Sequence, residues 1–125
     1  MKARVLFVED EPDIRLVIGQ GLKFFDFDVT SVETAEEALK KLRIEKYDVI
    51  LLDMGLPGMS GWEMAKRLQR GDYPHVPIIA LTGASRIGDE QKAYQAGCAG
   101  YITKPCEPNT VKRKIEKILE KTRRF

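Results

Sequence analysis

Short runs of apolar residues alternate along this chain with segments whose apolar residues have helical spacing. Five runs have the composition of β-strands: Val5–Val8, Val29–Val32, Val49–Leu52, Ile78–Leu81 and Tyr101–Thr103. Between and after these runs, apolar residues recur three and four positions apart, as on the buried face of an amphipathic helix. Strands that alternate with helices form a parallel sheet with right-handed crossovers and helices on both faces. The pattern therefore predicts an α/β fold with a doubly wound, five-stranded parallel sheet and five helices.

Local signals mark where several of these helices begin and end. Residues 34–37 and 60–63 have the Ser/Thr-x-x-Glu spacing of a capping box, which satisfies backbone N–H groups at a helix start. Pro12 and Pro108 suit the first turn of a helix, and Gly97 suits the position just after a helix end. These signals agree with the helices that the apolar pattern predicts.

Length and composition indicate one globular domain covering residues 1–125. Hydrophobic residues make up 43% of the chain and charged residues 32%, which is typical of a folded domain in water. The apolar runs are too short to cross a bilayer, and acidic residues come too early for a signal peptide, so we expect a cytoplasmic location without membrane insertion. The net charge of +2 is too small to indicate direct binding to nucleic acid. Two cysteines and one histidine are too few for a disulfide framework or a zinc site.

Acidic residues follow the first and third predicted strands directly. Glu9, Asp10 and Glu11 come after the first strand, and Asp53 comes after the third. The carboxyl ends of parallel strands meet at one edge of the sheet, where such folds place their sites. Two carboxylates about 4 Å apart repel by roughly 4 kcal/mol at an effective dielectric of about 20. A hard divalent cation such as Mg²⁺ relieves this repulsion, so the sequence predicts a metal site at this edge.

Four segments of the chain resemble the receiver domains of two-component response regulators, in particular the stand-alone chemotaxis type. They are "FVEDEPDIR", "DVILLDMGLPGMSGWE", "PIIALTG" and "AGCAGYITKP", and they occur in the family's order and spacing over essentially the whole chain. The resemblance implies a flavodoxin-like fold with strand order 2-1-3-4-5. It also implies a signalling domain that catalyses only its own phosphorylation and dephosphorylation and is otherwise not an enzyme.

The resemblance assigns roles to the acidic residues. Asp53 is expected to be the phosphoacceptor, which takes a phosphoryl group from a phosphohistidine on a sensor histidine kinase or a phosphotransfer protein. Asp10 is expected to bind Mg²⁺ directly and Glu9 through water, with the Gly55 carbonyl as a further ligand. Many relatives carry Asp at the position of Glu9, so this chain departs from the commonest pattern there. Glu11 is expected to face solvent at the helix start.

The resemblance also assigns roles to residues after the fourth and fifth strands. Lys104 and Thr82 are expected to bind phosphoryl oxygens, and the Lys104–Pro105 peptide bond is expected to be cis. Phosphorylation is expected to draw Thr82 inward, so that Tyr101 turns from solvent toward the core and changes the surface of helix 4, strand 5 and helix 5. A static, half-buried Tyr101 is the alternative. Downstream partner contacts are expected around Tyr101, Ala93 and Lys112.

Two small residues are expected to set the lifetime of the phosphorylated state. Gly55 and Ala84 each lie two positions after a site residue, Asp53 and Thr82 respectively. Relatives carry larger polar side chains there, which shield the phosphoryl group or orient the attacking water. In this chain water can reach the phosphorus freely, but no side chain at these positions aligns it. Because alignment is a large part of catalysis, we expect the phosphorylated state to decay at an intermediate rate. Alternatively, Gly55 serves only the backbone freedom of its loop.

Three other functions are alternatives to a phosphorylated receiver. An aspartate-nucleophile phosphatase of the haloacid-dehalogenase type would need a second Asp at the position of Gly55. A flavin or nucleotide module would need a phosphate-cradling loop where this chain has "VEDEP". A degenerate receiver that only docks proteins would not need Asp10, Asp53, Thr82 and Lys104. Because the sequence ends in the predicted fifth helix, we expect no output domain within it; a stand-alone receiver and a piece of a longer protein both remain open.

Overall fold

The structure, a computed structural model, describes residues 2–71, 73–83 and 88–122. In these ranges strands and helices alternate as the apolar pattern predicts, with bounds that differ from the predicted runs by one residue or none. The elements are β1 (Arg4–Val8), α1 (Pro12–Phe24), β2 (Asp28–Val32), α2 (Ala35–Ile44), β3 (Val49–Asp53), α3 (Gly61–Gln69), β4 (Ile78–Thr82), α4 (Asp89–Gln95), β5 (Gly100–Thr103) and α5 (Pro108–Thr122).

The strands form one sheet in the order β2-β1-β3-β4-β5, and all four neighbouring pairs are parallel. This confirms the flavodoxin-like topology. The register aligns the strand ends closely, since Val8 pairs with Leu52 and Thr82 pairs with Thr103. The residues that follow β1, β3, β4 and β5 therefore meet along one edge of the sheet.

The sheet is buried on both faces, which explains why its central strands are apolar except at their end residues. Leu6 and Ile50 point into one apolar cluster with residues of α2 and α3, and Phe7 and Leu51 point into a second cluster with residues of α1 and α5. Neighbouring positions of a strand face opposite sides, so every residue from 49 to 53 is buried. Among the described residues, no helix combines the length and the apolar character needed to cross a membrane.

The predicted helix signals have the expected geometry. The side chains of Thr34 and Ser60 accept hydrogen bonds from the backbone N–H groups of Glu37 and Glu63, at 3.1 and 3.2 Å. These caps begin α2 and α3, while prolines begin α1 and α5. Gly97, just beyond α4, has a φ of 94°, a left-handed conformation that glycine adopts without a steric penalty.

Candidate functional site

Three carboxylates meet at the carboxyl ends of β1 and β3. Glu9, Asp10 and Asp53 each contribute an oxygen, and these oxygens all lie within 4.8 Å of one another. Glu9 is fully buried and Asp53 is 4% exposed, whereas Asp10 is half-buried. The structure thus brings together the acidic residues that the sequence predicts, while Glu11 is exposed at the start of α1.

Lys104 reaches into this cluster from the end of β5. Its Nζ lies 2.8 Å from Glu9 Oε1 and 3.3 Å from Asp53 Oδ2, and its side chain is only 12% exposed. The peptide bond between Lys104 and Pro105 is cis in the structure. One ammonium group therefore offsets part of the charge of three carboxylates.

The electrostatics of the cluster show a deficit of positive charge. Burial raises the pKa of Glu9 to about 7, although the hydrogen bonds from Lys104 and from the Glu11 backbone oppose the shift. Burial lowers the pKa of Lys104, but its hydrogen bond to Glu9 and the charges of Asp53 and Glu9 outweigh that effect, so the net pKa is raised. The buried Glu9 Oε1 lies 2.8 Å from the Lys104 ammonium, and that one positive charge cannot neutralise three carboxylates. Three converging carboxylates around a single ammonium group fit a hard divalent cation.

Backbone groups fix the orientation of two of these carboxylates. The N–H of Gly55 donates to Asp53 Oδ1 at 3.0 Å, and the N–H of Glu11 donates to Glu9 Oε2 at 3.2 Å. Gly61, which begins α3, approaches so closely that an added Cβ would lie 2.5 Å from the Asp53 carbonyl oxygen. The loop from Asp53 to Gly61 is therefore packed tightly against the end of β3.

The structure bears on the two residues expected to set the phosphoryl lifetime. Gly55 is exposed and is not among the positive-φ glycines, and an added Cβ would meet only Asp53 Oδ1 at an ordinary 3.7 Å. Its backbone conformation therefore does not require glycine, which removes the physical basis of the backbone-freedom alternative. Ala84 lies outside the described residues.

Thr82 and Tyr101 are in direct contact. The Thr82 hydroxyl donates a hydrogen bond to the Tyr101 hydroxyl at 3.1 Å, and Thr82 is 6% exposed. Tyr101 is half-buried and packs against the apolar cluster beneath α2 and α3, rather than pointing into solvent. In this conformation the ring is already next to the residue expected to control it.

Partner contacts are also expected around Ala93 and Lys112. Ala93 is the fully buried residue of α4, so its own side chain cannot contact another protein. The Nζ of Lys112 lies 4.9 Å from the centroid of the Phe25 ring, which places it on the side of α5 that faces α1. Partner contacts around these two positions stay a prediction, although the Ala93 side chain itself is not accessible. On the face in question, Tyr94 is 47% exposed, and Lys114 lines a cleft with Tyr101.

Sequence reasoning missed three residues next to the site. Arg15 donates hydrogen bonds to the backbone carbonyls of Glu9 and Asp10. Trp62 and Lys92 line a cleft of about 230 Å³ beside Gly55, and the Lys92 Nζ lies 4.2 Å from the Trp62 ring centroid. One sequence feature could have indicated Arg15, since it is the first basic residue after the acidic run and lies one turn into α1. The contact between Trp62 and Lys92 joins segments that are far apart in the sequence, so no local sequence pattern predicts it.

Comparison with known proteins decides the family. The model of the response regulator receiver domain matches residues 5–116. The chain belongs to this family. It is 34% identical to the alkaline phosphatase synthesis transcriptional regulatory protein PhoP of Bacillus subtilis, over 98% of this chain and 50% of that protein. It is also 34% identical to the phosphate regulon transcriptional regulatory protein PhoB of Pseudomonas aeruginosa, over 94% of this chain and 52% of that protein. The chain thus spans about half the length of these curated relatives.

Solved receiver domains have the same architecture. The chemotaxis response regulator CheY4 of Vibrio cholerae superimposes with a TM-score of 0.86 at 28% identity, covering 94% of this chain and 99% of that one. A CheY-like receiver domain from Methanospirillum hungatei gives a TM-score of 0.87 at 30% identity, covering 97% and 96%. Receiver domains are signalling domains that accept a phosphoryl group, bind Mg²⁺ at an acidic pocket and interact with histidine kinases and downstream effectors. Membership of this family argues against the phosphatase and nucleotide-binding alternatives.

Proposed function

We propose that this protein is a working receiver, in which Asp53 accepts a phosphoryl group from a sensor histidine kinase or a phosphotransfer protein in the cytoplasm. The observation that carries the proposal is the meeting of Glu9, Asp10 and Asp53 within 4.8 Å, with Lys104 in contact with two of them. A receiver that only docks other proteins has no use for this arrangement, since gathering like charges in a buried site costs stability.

In the proposed reaction an Asp53 carboxylate oxygen attacks the phosphorus of a phosphohistidine. The new O–P bond forms while the P–N bond breaks, and the imidazole nitrogen keeps the bonding electron pair. Such transfers depend mainly on alignment and on neutralising the charge of the phosphoryl oxygens. Lys104, whose Nζ is 3.3 Å from Asp53 Oδ2, can exchange that contact for a phosphoryl oxygen. The Thr82 hydroxyl can donate to another oxygen.

Glu9, Asp10 and Asp53 are the proposed Mg²⁺ ligands, together with the backbone carbonyl of Gly55. When bound, Mg²⁺ supplies positive charge to the phosphoryl oxygens. The convergence of three carboxylates around a single ammonium group supports this proposal, because like charges gathered in a buried site are costly unless a further cation meets them.

Phosphorylation of Asp53 is tested by mass spectrometry after incubation with a small-molecule phosphodonor and Mg²⁺. We expect a gain of one phosphoryl group that is labile to hydroxylamine, as an acyl phosphate is. Both Asp53→Asn and addition of EDTA should abolish the gain. Glu90→Gln serves as the control, because it removes an exposed acid from α4 and should still be phosphorylated. A folded wild-type protein that gains no mass would contradict the proposal and favour a docking role.

We further propose that phosphorylation changes the surface formed by α4, β5 and α5, and that a downstream protein binds there. The direct hydrogen bond between Thr82 and Tyr101 supports this link, since a phosphoryl group that recruits the Thr82 hydroxyl must break or redirect it. Shifting a two-state equilibrium from 1:99 to 99:1 requires about 5.5 kcal/mol of differential interaction. A few charge-assisted hydrogen bonds of about 1.5–3 kcal/mol each are enough.

This switch predicts local changes in NMR chemical shift on phosphorylation. The Thr82 methyl and the Tyr101 ring should shift, because their mutual hydrogen bond is replaced. The Tyr47 ring provides the internal control, since its hydroxyl is held by Glu45 near the opposite end of the sheet and should not shift. Unchanged Thr82 and Tyr101 signals in a fully phosphorylated sample would leave Tyr101 as a static, half-buried aromatic.

A further inference from the structure

Arg15 holds the backbone of the segment that carries two of the acidic residues. Its Nη1 donates to the carbonyl oxygen of Glu9 at 2.9 Å and to that of Asp10 at 3.3 Å. Its Nη2 lies 3.2 Å from Glu33 Oε1, and the Arg15 side chain is 21% exposed. A single guanidinium group, anchored beyond β2, therefore contacts the carbonyls of both Glu9 and Asp10.

The same segment is held from its other side by the sheet. The N–H of Glu9 donates to the Val32 carbonyl at 3.0 Å, continuing the pairing of β1 with β2. Beyond that bond the chain leaves the sheet for α1, and the carboxylates of Glu9, Asp10 and Asp53 repel one another. The planar fork of an arginine, with donors in fixed directions, suits a bridge between two carbonyls better than a lysine does.

We infer that Arg15 is a positioning residue for the divalent-cation site, acting through the backbone of Glu9 and Asp10. This inference rests on the proposed function, because it takes Mg²⁺ as the ion bound by the three carboxylates. By fixing both carbonyls, Arg15 keeps the two side chains directed at Asp53 before the ion arrives. Outer-shell partners of metal ligands typically contribute about 10–100-fold to metal affinity.

The direction in which Mg²⁺ affinity changes when Arg15 is removed distinguishes positioning from simple electrostatics. Arg15 carries a positive charge close to a cation site, so Coulomb repulsion alone predicts that its removal strengthens Mg²⁺ binding. Positioning predicts the opposite, because the freed segment can move its carboxylates apart and must be ordered again when the ion binds. The sign of the measured change in Mg²⁺ affinity therefore decides between the two explanations.

The test is calorimetric titration of MgCl₂ into the wild type and matched variants, with thermal unfolding followed to confirm that each variant is folded. We expect Arg15→Gln to raise the Mg²⁺ Kd about tenfold, and Arg15→Lys to recover part of that loss. Arg67→Gln makes the same change in net charge in the last turn of α3 and should leave the Kd unchanged. Glu33→Gln keeps Arg15 but removes the charge that anchors it, leaving a weaker neutral acceptor, and should raise the Kd about twofold.

A Kd for folded Arg15→Gln that equals or falls below the wild-type value overturns the inference and leaves the proposed metal site intact. If Arg15→Gln does not fold, Arg15→Lys and Glu33→Gln decide, and wild-type affinity in both overturns the inference. If the wild type itself binds no Mg²⁺, the proposed metal site fails first and this inference fails with it.

Discussion

Replacing Lys104 with Met should lower the free energy of unfolding by about 3 kcal/mol in the absence of divalent cations. Lys104 is the cation in contact with Glu9, whose carboxyl is fully buried and has a pKa raised to about 7, so above that pH the variant leaves a buried charge without its partner. Breaking a buried ion pair in this way typically costs about 3–5 kcal/mol, and Met preserves most of the aliphatic packing. Urea unfolding in EDTA, at a pH above the Glu9 pKa of about 7, measures the loss.

Magnesium should restore much of the stability that Lys104→Met loses. Without the ammonium group the site is more negative, so the ion binds the folded variant more tightly, and at 100 times the Kd it stabilises by about 2.7 kcal/mol. Combining Lys104→Met with Glu9→Gln should also recover stability, because the buried charge is then absent. Lys66→Met, an exposed lysine on α3, is the control and should change stability by less than about 0.5 kcal/mol. Wild-type stability of Lys104→Met in EDTA would show that the ion pair does not stabilise the fold.

The fold could be predicted from the sequence because its strands are buried on both faces. Val5–Val8 and Val49–Leu52 are apolar at every position, as is typical of strands in the interior of a covered parallel sheet. Once the strands are parallel and alternate with helices, their carboxyl ends must meet at one edge. The convergence of Glu9, Asp10 and Asp53 also requires β1 and β3 to be neighbours, which the resemblance to receiver domains implied, so the acidic cluster was predictable from the pattern and the resemblance together.

The contacts of long side chains could not be predicted in the same way. Arg15 turns back along α1 to reach two carbonyls, and Tyr101 packs inward to meet Thr82, each through rotamers that tertiary packing selects. The burial of Ala93 is a second feature that depends on tertiary packing. A pattern places it on α4, but only the packing of that helix against β5 decides that its methyl group is fully buried.

Replacing Gly55 with Lys should slow loss of the phosphoryl group from Asp53 several-fold. We propose that Gly55 leaves the phosphoryl group open to water, because an exposed residue without a side chain lies beside Asp53. A lysine ammonium at this position can cover the phosphoryl oxygens and exclude the attacking water. Fivefold slower decay corresponds to a barrier higher by about 1 kcal/mol, which one screened electrostatic contact can supply. The rate is measured as decay of the phosphorylated mass in Mg²⁺ after the phosphodonor is removed.

The structure makes Gly55→Lys a clean test, because the substitution should not disturb the fold. The backbone does not need a glycine at this position, and an added Cβ would touch only Asp53 Oδ1 at 3.7 Å. Gly55→Met is the matched control: it adds a flexible chain without the charge, so it separates shielding by bulk from electrostatic cover. Mg²⁺ affinity should change little, since the ammonium group is on a flexible, solvated stem. If a folded Gly55→Lys protein loses its phosphoryl group at the wild-type rate, the open position at residue 55 does not set the lifetime.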